Sequence, residues 1–147
     1  MIRRFPQYPR LVFVDTSALF AMVDRDDDFH SSVVAATEEI VAAGGQLVVT
    51  NFVFAELHAL LLSRINRHVA RTALTRLRDS HDVSLVRVSV DDEQRAWEII
   101  DRFTDKDFSF ADASSFAVME CLGITHALSL DAHFVQYGWV MLPVDRE

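Results

Sequence analysis

The sequence has little cysteine, glycine or proline: one Cys, four Gly and three Pro in 147 residues. The lone thiol, Cys121, excludes an intrachain disulfide and a cysteine-rich zinc site, so nothing calls for an oxidising compartment and a reducing cytoplasm is the expectation. So few Gly and Pro also exclude a linker-rich or low-complexity chain. No apolar run approaches the length of a membrane span. The opening "MIRRFPQYPR" is basic, but with two prolines and no apolar stretch it does not read as a signal sequence, and residues 1–10 are expected to form a short lead-in arm. Lysine is nearly absent, Lys106 being the only one, and the formal net charge is −8. That balance excludes a protein that grips nucleic acid by a global basic field. It leaves open local arginine clusters, or metal ions held by gathered carboxylates, as means of neutralising phosphates.

Hydrophobic residues make up 50% of the chain, enough for one domain with a real core over residues 1–147. The stretch "LVFVDTSALFAMVD" from Leu11 sets four bulky apolar residues directly before Asp15. An apolar run without alternation reads as a strand buried on both faces, as in parallel sheets. Asp15 then stands at the strand's end, either as part of a helix cap with Thr16 and Ser17 or as a functional carboxylate. Helical periodicity follows through Val33, Val34, Thr37, Ile40 and Val41 and stops at Gly44 and Gly45. "QLVVT" is a second strand, "NFVFAELHALLLSRI" a helix capped near Asn51, and "RHVARTALTRLRD" a helix with Val69, Leu74 and Leu77 inside. "VSLVRVSV" reads as a strand, "DDEQRAWEIIDRFTD" and "SFADASSFAVMECLG" as helices, "THALSL" as a strand ending at Asp131, and "WVMLPV" as an edge strand limited by Pro143. Strands alternating with helices predict a mostly parallel sheet with right-handed crossovers and helices on both faces.

In such a sheet Asp15 and Asp131 share one edge although far apart in sequence. Glu56 opens the helix after the second strand and so lies at the same edge, among Phe52, Val53, Ala59 and Leu60 at helical spacing; an exposed Glu, or one paired with Arg64, is the alternative. Asp112 stands three residues after Ser109, the spacing of a capping box. Asp107 reads as a loop acid or a supporting group. Four carboxylates at one sheet edge repel one another unless a cation lies between them, and oxygen donors of this kind suit Mg²⁺ or Mn²⁺. One or two such ions serve in-line displacement at phosphorus, so the chemistry expected is phosphodiester hydrolysis. The six histidines are scattered without metal-ligand spacing and read as structural.

Rival chemistries fit less well. An aspartyl-nucleophile phosphatase wants a second acid where Ser17 stands, a receiver domain wants an acidic pair before Asp15 and a lysine after a later strand, and no G-x-S-x-G elbow supports a serine hydrolase.

The four acidic segments resemble those of the PIN domains, and among them the VapC-type toxins of bacterial toxin-antitoxin pairs. "FVDTSALFAMVD" is similar to the family's opening Asp-x-Ser (Asp15, Ser17), "VVTNFVFAEL" to its second motif (Glu56), "FSFADASSFAVM" to its third (Asp112) and "LSLDAHF" to its fourth (Asp131). The resemblance implies a three-layer α/β/α sandwich with a mostly parallel sheet. It implies a Mg²⁺- or Mn²⁺-dependent endoribonuclease acting on RNA of the tRNA or rRNA class, with Asp15, Glu56, Asp112 and Asp131 as catalytic metal ligands and Ser17 and Asp107 in support. A homodimer with a cognate antitoxin in each acidic cleft is implied too. An inactive PIN-like module that binds RNA or a protein is the alternative, although mutually repelling acids bring nothing to a pure binding surface. Arg67 and Arg71, on the one concentrated basic helix, are candidate RNA contacts, with a solvated helix face or an intersubunit salt-bridge surface as the alternative. Leu57, Leu60, Leu61 and Leu62 cover a wider arc than one buried stripe needs, which points to an interface.

Overall fold

The computed structural model describes residues 8–143. In chain order its elements are β1 (Leu11–Val14), α1 (Thr16–Val23), α2 (His30–Ala42), β2 (Gln46–Thr50), α3 (Asn51–Arg64), α4 (Arg67–Asp79), β3 (Val83–Val86), α5 (Val90–Arg102), α6 (Phe110–Leu122), β4 (His126–Leu128), α7 (His133–Tyr137) and β5 (Val140–Leu142). The strands form one sheet in the order β3-β2-β1-β4-β5, with every neighbouring pair parallel. The chain therefore winds from β1 outward to β3, then returns across β1 to β4 and β5. Right-handed crossovers put the helices of the two halves on opposite faces. Accordingly α1 to α4 pack among themselves, as do α5 to α7, giving the α/β/α layering.

The apolar run before Asp15 is as dry as its pattern requires: Val12, Phe13 and Val14 are fully buried. Around them close Leu19, Ile40, Leu57, Leu61, Ile99, Phe116 and Phe134. Of the expected lead-in arm, residues 1–7 lie outside the described residues. Tyr8 packs against the core and donates to Glu39 Oε2 at 2.5 Å, and the Arg10 carbonyl accepts from Gln46 N.

Several local expectations are corrected by hydrogen bonding. The cap of α3 is Thr50, whose hydroxyl accepts from Val53 N, while Asn51 uses its side chain to accept from Val88 N at 2.8 Å and so ties down the chain leaving β3. β3 stops at Val86, because Ser89 and Asp92 form a reciprocal capping box that makes Val90 the first residue of α5. β4 stops at Leu128, and Asp131 lies three residues past it. The amides of Leu130 and Asp131 are taken by the Ser17 and Ser129 hydroxyls. In α4 only Ala70 is fully buried, with Val69, Leu74 and Leu77 half-buried. Most of the surplus leucine arc of α3 is absorbed: Leu57 and Leu61 are buried, Leu60 is half-buried, and only Leu62 stays exposed.

Candidate active site

The reversal of winding falls between β1 and β4, and the crevice outside the carboxyl ends of strands at such a point is where open α/β sheets bind ligands. Asp15 follows β1 there. Its amide donates to the Leu128 carbonyl at the end of β4, and its side chain is 6% exposed. Asp15 is the N-cap of α1, and its Oδ2 also accepts from Ser17 Oγ at 2.8 Å and Ser129 Oγ at 3.2 Å.

Asp112 is likewise committed on one side. The capping box forms, with Ser109 N donating to Asp112 Oδ2 at 3.1 Å, and His133 Nδ1 reaches the same oxygen at 2.9 Å. Asp131 Oδ1 accepts from His133 N at 2.9 Å and lies 3.4 Å from His133 Nδ1. Ligand atoms of Asp112, Asp131 and His133 all fall within 4.8 Å of one another. One pattern runs through the three aspartates. Each gives a single oxygen to protein donors, leaving Asp15 Oδ1, Asp112 Oδ1 and Asp131 Oδ2 without a protein hydrogen bond among the described residues.

Glu56 is not sealed among apolar neighbours. It stands exposed on the second turn of α3, outside the cluster of Asp112, Asp131 and His133, and Arg64 lies over the Phe20 ring at 5.6 Å. The α3 and α6 starts nevertheless adjoin, with the Phe52 and Phe110 rings 6.0 Å apart. Asp107 is exposed in the loop before α6. Arg67 and Arg71 are exposed on α4. Since α3 has fourteen residues and so runs about 21 Å, Arg67 at its far end is carried away from the acids. His133 is the residue that sequence reasoning missed. Its only signal was proximity to Asp131, two positions before it, because its partner Asp112 is 21 residues away. Structural readings suit other histidines, as for His30, whose Nδ1 lies 2.7 Å from the Ala21 carbonyl.

Burial pushes the Asp15 carboxyl up from its usual 3.8 to about 6, helped by the charge of Asp112 and opposed chiefly by the Ser17 hydrogen bond. The sign of the linkage follows. Between about pH 4 and 6 the folded chain holds a proton on Asp15 that the unfolded chain has lost, so stability falls as pH rises through that window. Above it, the ionised group costs the metal-free fold about 3 kcal/mol. Urea midpoints in chelator across this range should therefore drop with pH in the wild type relative to Asp15→Asn, in which this contribution is absent.

Whether the site suits a divalent cation is answered by its donors. Three carboxylates, one of them buried and raised toward neutrality by desolvation, each hold an uncommitted oxygen at one sheet edge. Hard oxygen donors with room for water are what Mg²⁺ and Mn²⁺ take. The residues fit.

Comparison with known proteins bears on the family and the fold. Residues 12–140 match the family pattern described as the PIN domain. Over 131 residues, 88% of this chain and 96% of the relative, the sequence is 35% identical to the 23S rRNA-specific endonuclease VapC20 of Mycobacterium tuberculosis. The crystal structure of that VapC20, described as a sarcin-ricin loop cleaving toxin, matches with a TM-score of 0.78 at 32% identity, over 88% of this chain and 96% of the other. VapBC2 from Rickettsia felis, solved bound to a DNA fragment from their promoter, is similar in fold alone: TM-score 0.69 at 10% identity, over 89% and 96% of the two chains.

Proposed function

The chain belongs to the PIN domain family, and from that premise we propose that it is a Mg²⁺- or Mn²⁺-dependent endoribonuclease, the toxin of a toxin-antitoxin pair, with ribosomal RNA as its substrate class. One observation carries the chemistry: three aspartates at the switch point of the sheet, each oriented through one oxygen and open at the other. Asp15, Asp112 and Asp131 would hold the cation, with Glu56 reaching in from the adjoining start of α3. When bound, the cation supplies the positive charge that offsets developing negative charge as a water oxygen bonds to phosphorus and the bond to the ribose oxygen breaks. Ser17 and Ser129 keep the Asp15 carboxylate aimed, and the capping box with His133 does the same for Asp112. Protons compete with the cation for the Asp15 carboxylate, so the metal concentration needed for cleavage rises as pH drops below about 6.

The relative's 23S rRNA specificity is the basis for the substrate class, and the substrate in turn implies the cytoplasm. Among the described residues no helix is long and apolar enough to cross a membrane. A cognate antitoxin would cover the acidic cleft with a basic side chain that pairs with the aspartates where the cation would sit. A homodimer, joined where Leu62 and Ile65 remain exposed on the α3 end, completes the assembly.

Incubating the purified chain with 23S rRNA and with tRNA, in Mg²⁺, Mn²⁺ or chelator, tests the reading. Metal-dependent cuts at restricted sites in 23S rRNA are expected. Cleavage confined to tRNA would overturn the substrate class. Tight RNA binding without cleavage in any metal would replace the enzyme by a binding module. For Arg67→Gln with Arg71→Gln, RNA affinity should weaken and the slope of log K against log salt should shrink by roughly one per lost phosphate contact. An unchanged slope would remove α4 from the RNA path.

A further inference from the structure

We infer that His133 is a positioning residue of the acidic site: through Nδ1 it clamps Asp112 and Asp131 in one orientation, and it is not itself a ligand of the cation. The inference rests on the reading that these acids hold a divalent cation.

The hydrogen-bond geometry calls for a proton on Nδ1. Nδ1 lies 2.9 Å from Asp112 Oδ2 and 3.4 Å from Asp131 Oδ1. A ring nitrogen facing two carboxylate oxygens carries a proton, since a lone pair there would meet two anions. Nδ1 therefore donates and has no electron pair to give a metal, and Nε2, across the ring, points away from the two carboxylates that Nδ1 faces. The oxygens it engages matter as much. Asp112 Oδ2 is already held by Ser109 N and Asp131 Oδ1 by the His133 amide, so the imidazole doubles up on oxygens the backbone has taken and leaves the opposite pair open.

The ring has little freedom to do otherwise. Phe108, itself buried, packs against it at 5.4 Å with planes at 83°. The next residue, Phe134, is fully buried and lies 6.1 Å from Phe13 and 5.0 Å from Phe116, ring to ring. The short helix α7 is thus anchored in the core by its second residue, and its first is held over the acids. A carboxylate rotates readily about its last bond, and a cation that must first order two of them binds less well than one that finds them set.

Asparagine and glutamine separate positioning from ligation. The Asn amide sits where histidine carries Nδ1, whereas the Gln amide extends to the place of Nε2. Mn²⁺ affinity, read by the electron-spin signal of free Mn²⁺ with no RNA present, should weaken about tenfold or more in His133→Ala and His133→Gln. In His133→Asn it should stay within about threefold of wild type, since the donor is kept. Circular dichroism and urea midpoints establish that each variant is folded, and the Asn and Gln pair decides the matter if His133→Ala is not. Equal loss in His133→Asn and His133→Gln would mean that the imidazole itself is needed, and would overturn the positioning role. Wild-type affinity in folded His133→Ala or His133→Gln would overturn it as well. Asp15→Asn, measured alongside, reports on the site independently. If it binds Mn²⁺ as the wild type does, the metal reading fails. If it loses Mn²⁺ while the His133 variants keep it, only the present inference fails.

Discussion

Replacing Asp15 by asparagine should lower the rate of RNA cleavage by more than about a hundredfold, beyond the loss typical of residues that merely support a metal site, while making the metal-free chain more stable at neutral pH. The two effects have one origin. Asp15 is 6% exposed, and its ionised form is disfavoured by desolvation and by Asp112. A bound cation would remove that penalty, which the Ser17 hydrogen bond offsets only in part. Asparagine keeps an oxygen that can accept from Ser17 and Ser129 but carries no charge to desolvate, so the fold gains up to about 3 kcal/mol above pH 6. Single-turnover cleavage of 23S rRNA and urea unfolding in chelator measure the two halves. Cleavage that survives the substitution would remove Asp15 from the active site. A variant less stable than wild type at pH 7.5 in chelator would show that its hydrogen bonds outweigh its charge.

Phe134→Ala should cost about 3–5 kcal/mol, a large share of the 5–15 kcal/mol typical of a domain, and should abolish cleavage at temperatures where the wild type is active. Phe134 is fully buried against Phe13 of the central strand and Phe116 of α6. Truncation leaves a cavity between the sheet and its second helical layer. It also releases α7, which carries His133 and follows Asp131 directly. Val135→Ala, on the same helix but 53% exposed, is the control and should stay within about 0.5 kcal/mol of wild type. Unfolding midpoints report the difference; similar losses for the two would mean that α7 contributes by its presence rather than by its anchor.

Most of the scaffold was legible in the sequence because its strands are short dry runs and its helices long periodic ones. "LVFV" cannot be anything but buried, and an acid directly after it must sit at a sheet edge. Asp112 was legible as a cap because the capping box is a local pattern. What failed was either short or non-local. The five residues of α7 span little more than one turn, too few for a period to show. Val88 and Val90 favour a strand by composition, but the Ser89–Asp92 box fixes a helix start and wins. Asn51 looked like a cap because Asn is a good one. The preceding Thr50 is equally able, and Asn51 is drawn instead to Val88, 37 residues on. The meeting of His133 with Asp112 was hidden for the same reason: it is specified by the packing of α6 against α7, which no local pattern encodes.

Ser129, which steadies Asp15, comes 114 residues later in the chain, and the amide that engages Ser17 comes 113 later. The order of synthesis is thereby built into the chemistry. As the chain leaves the ribosome, Asp15 emerges with Ser17 close behind it but waits without its strand neighbour β4, the Ser129 hydroxyl and Asp131 until residues 126–131 have been made. A translation product abandoned before His126 lacks both Asp131 and the β4 edge of the crevice. On the proposed reading such fragments would be inert toward RNA, and cutting would await a chain that extends past Asp131.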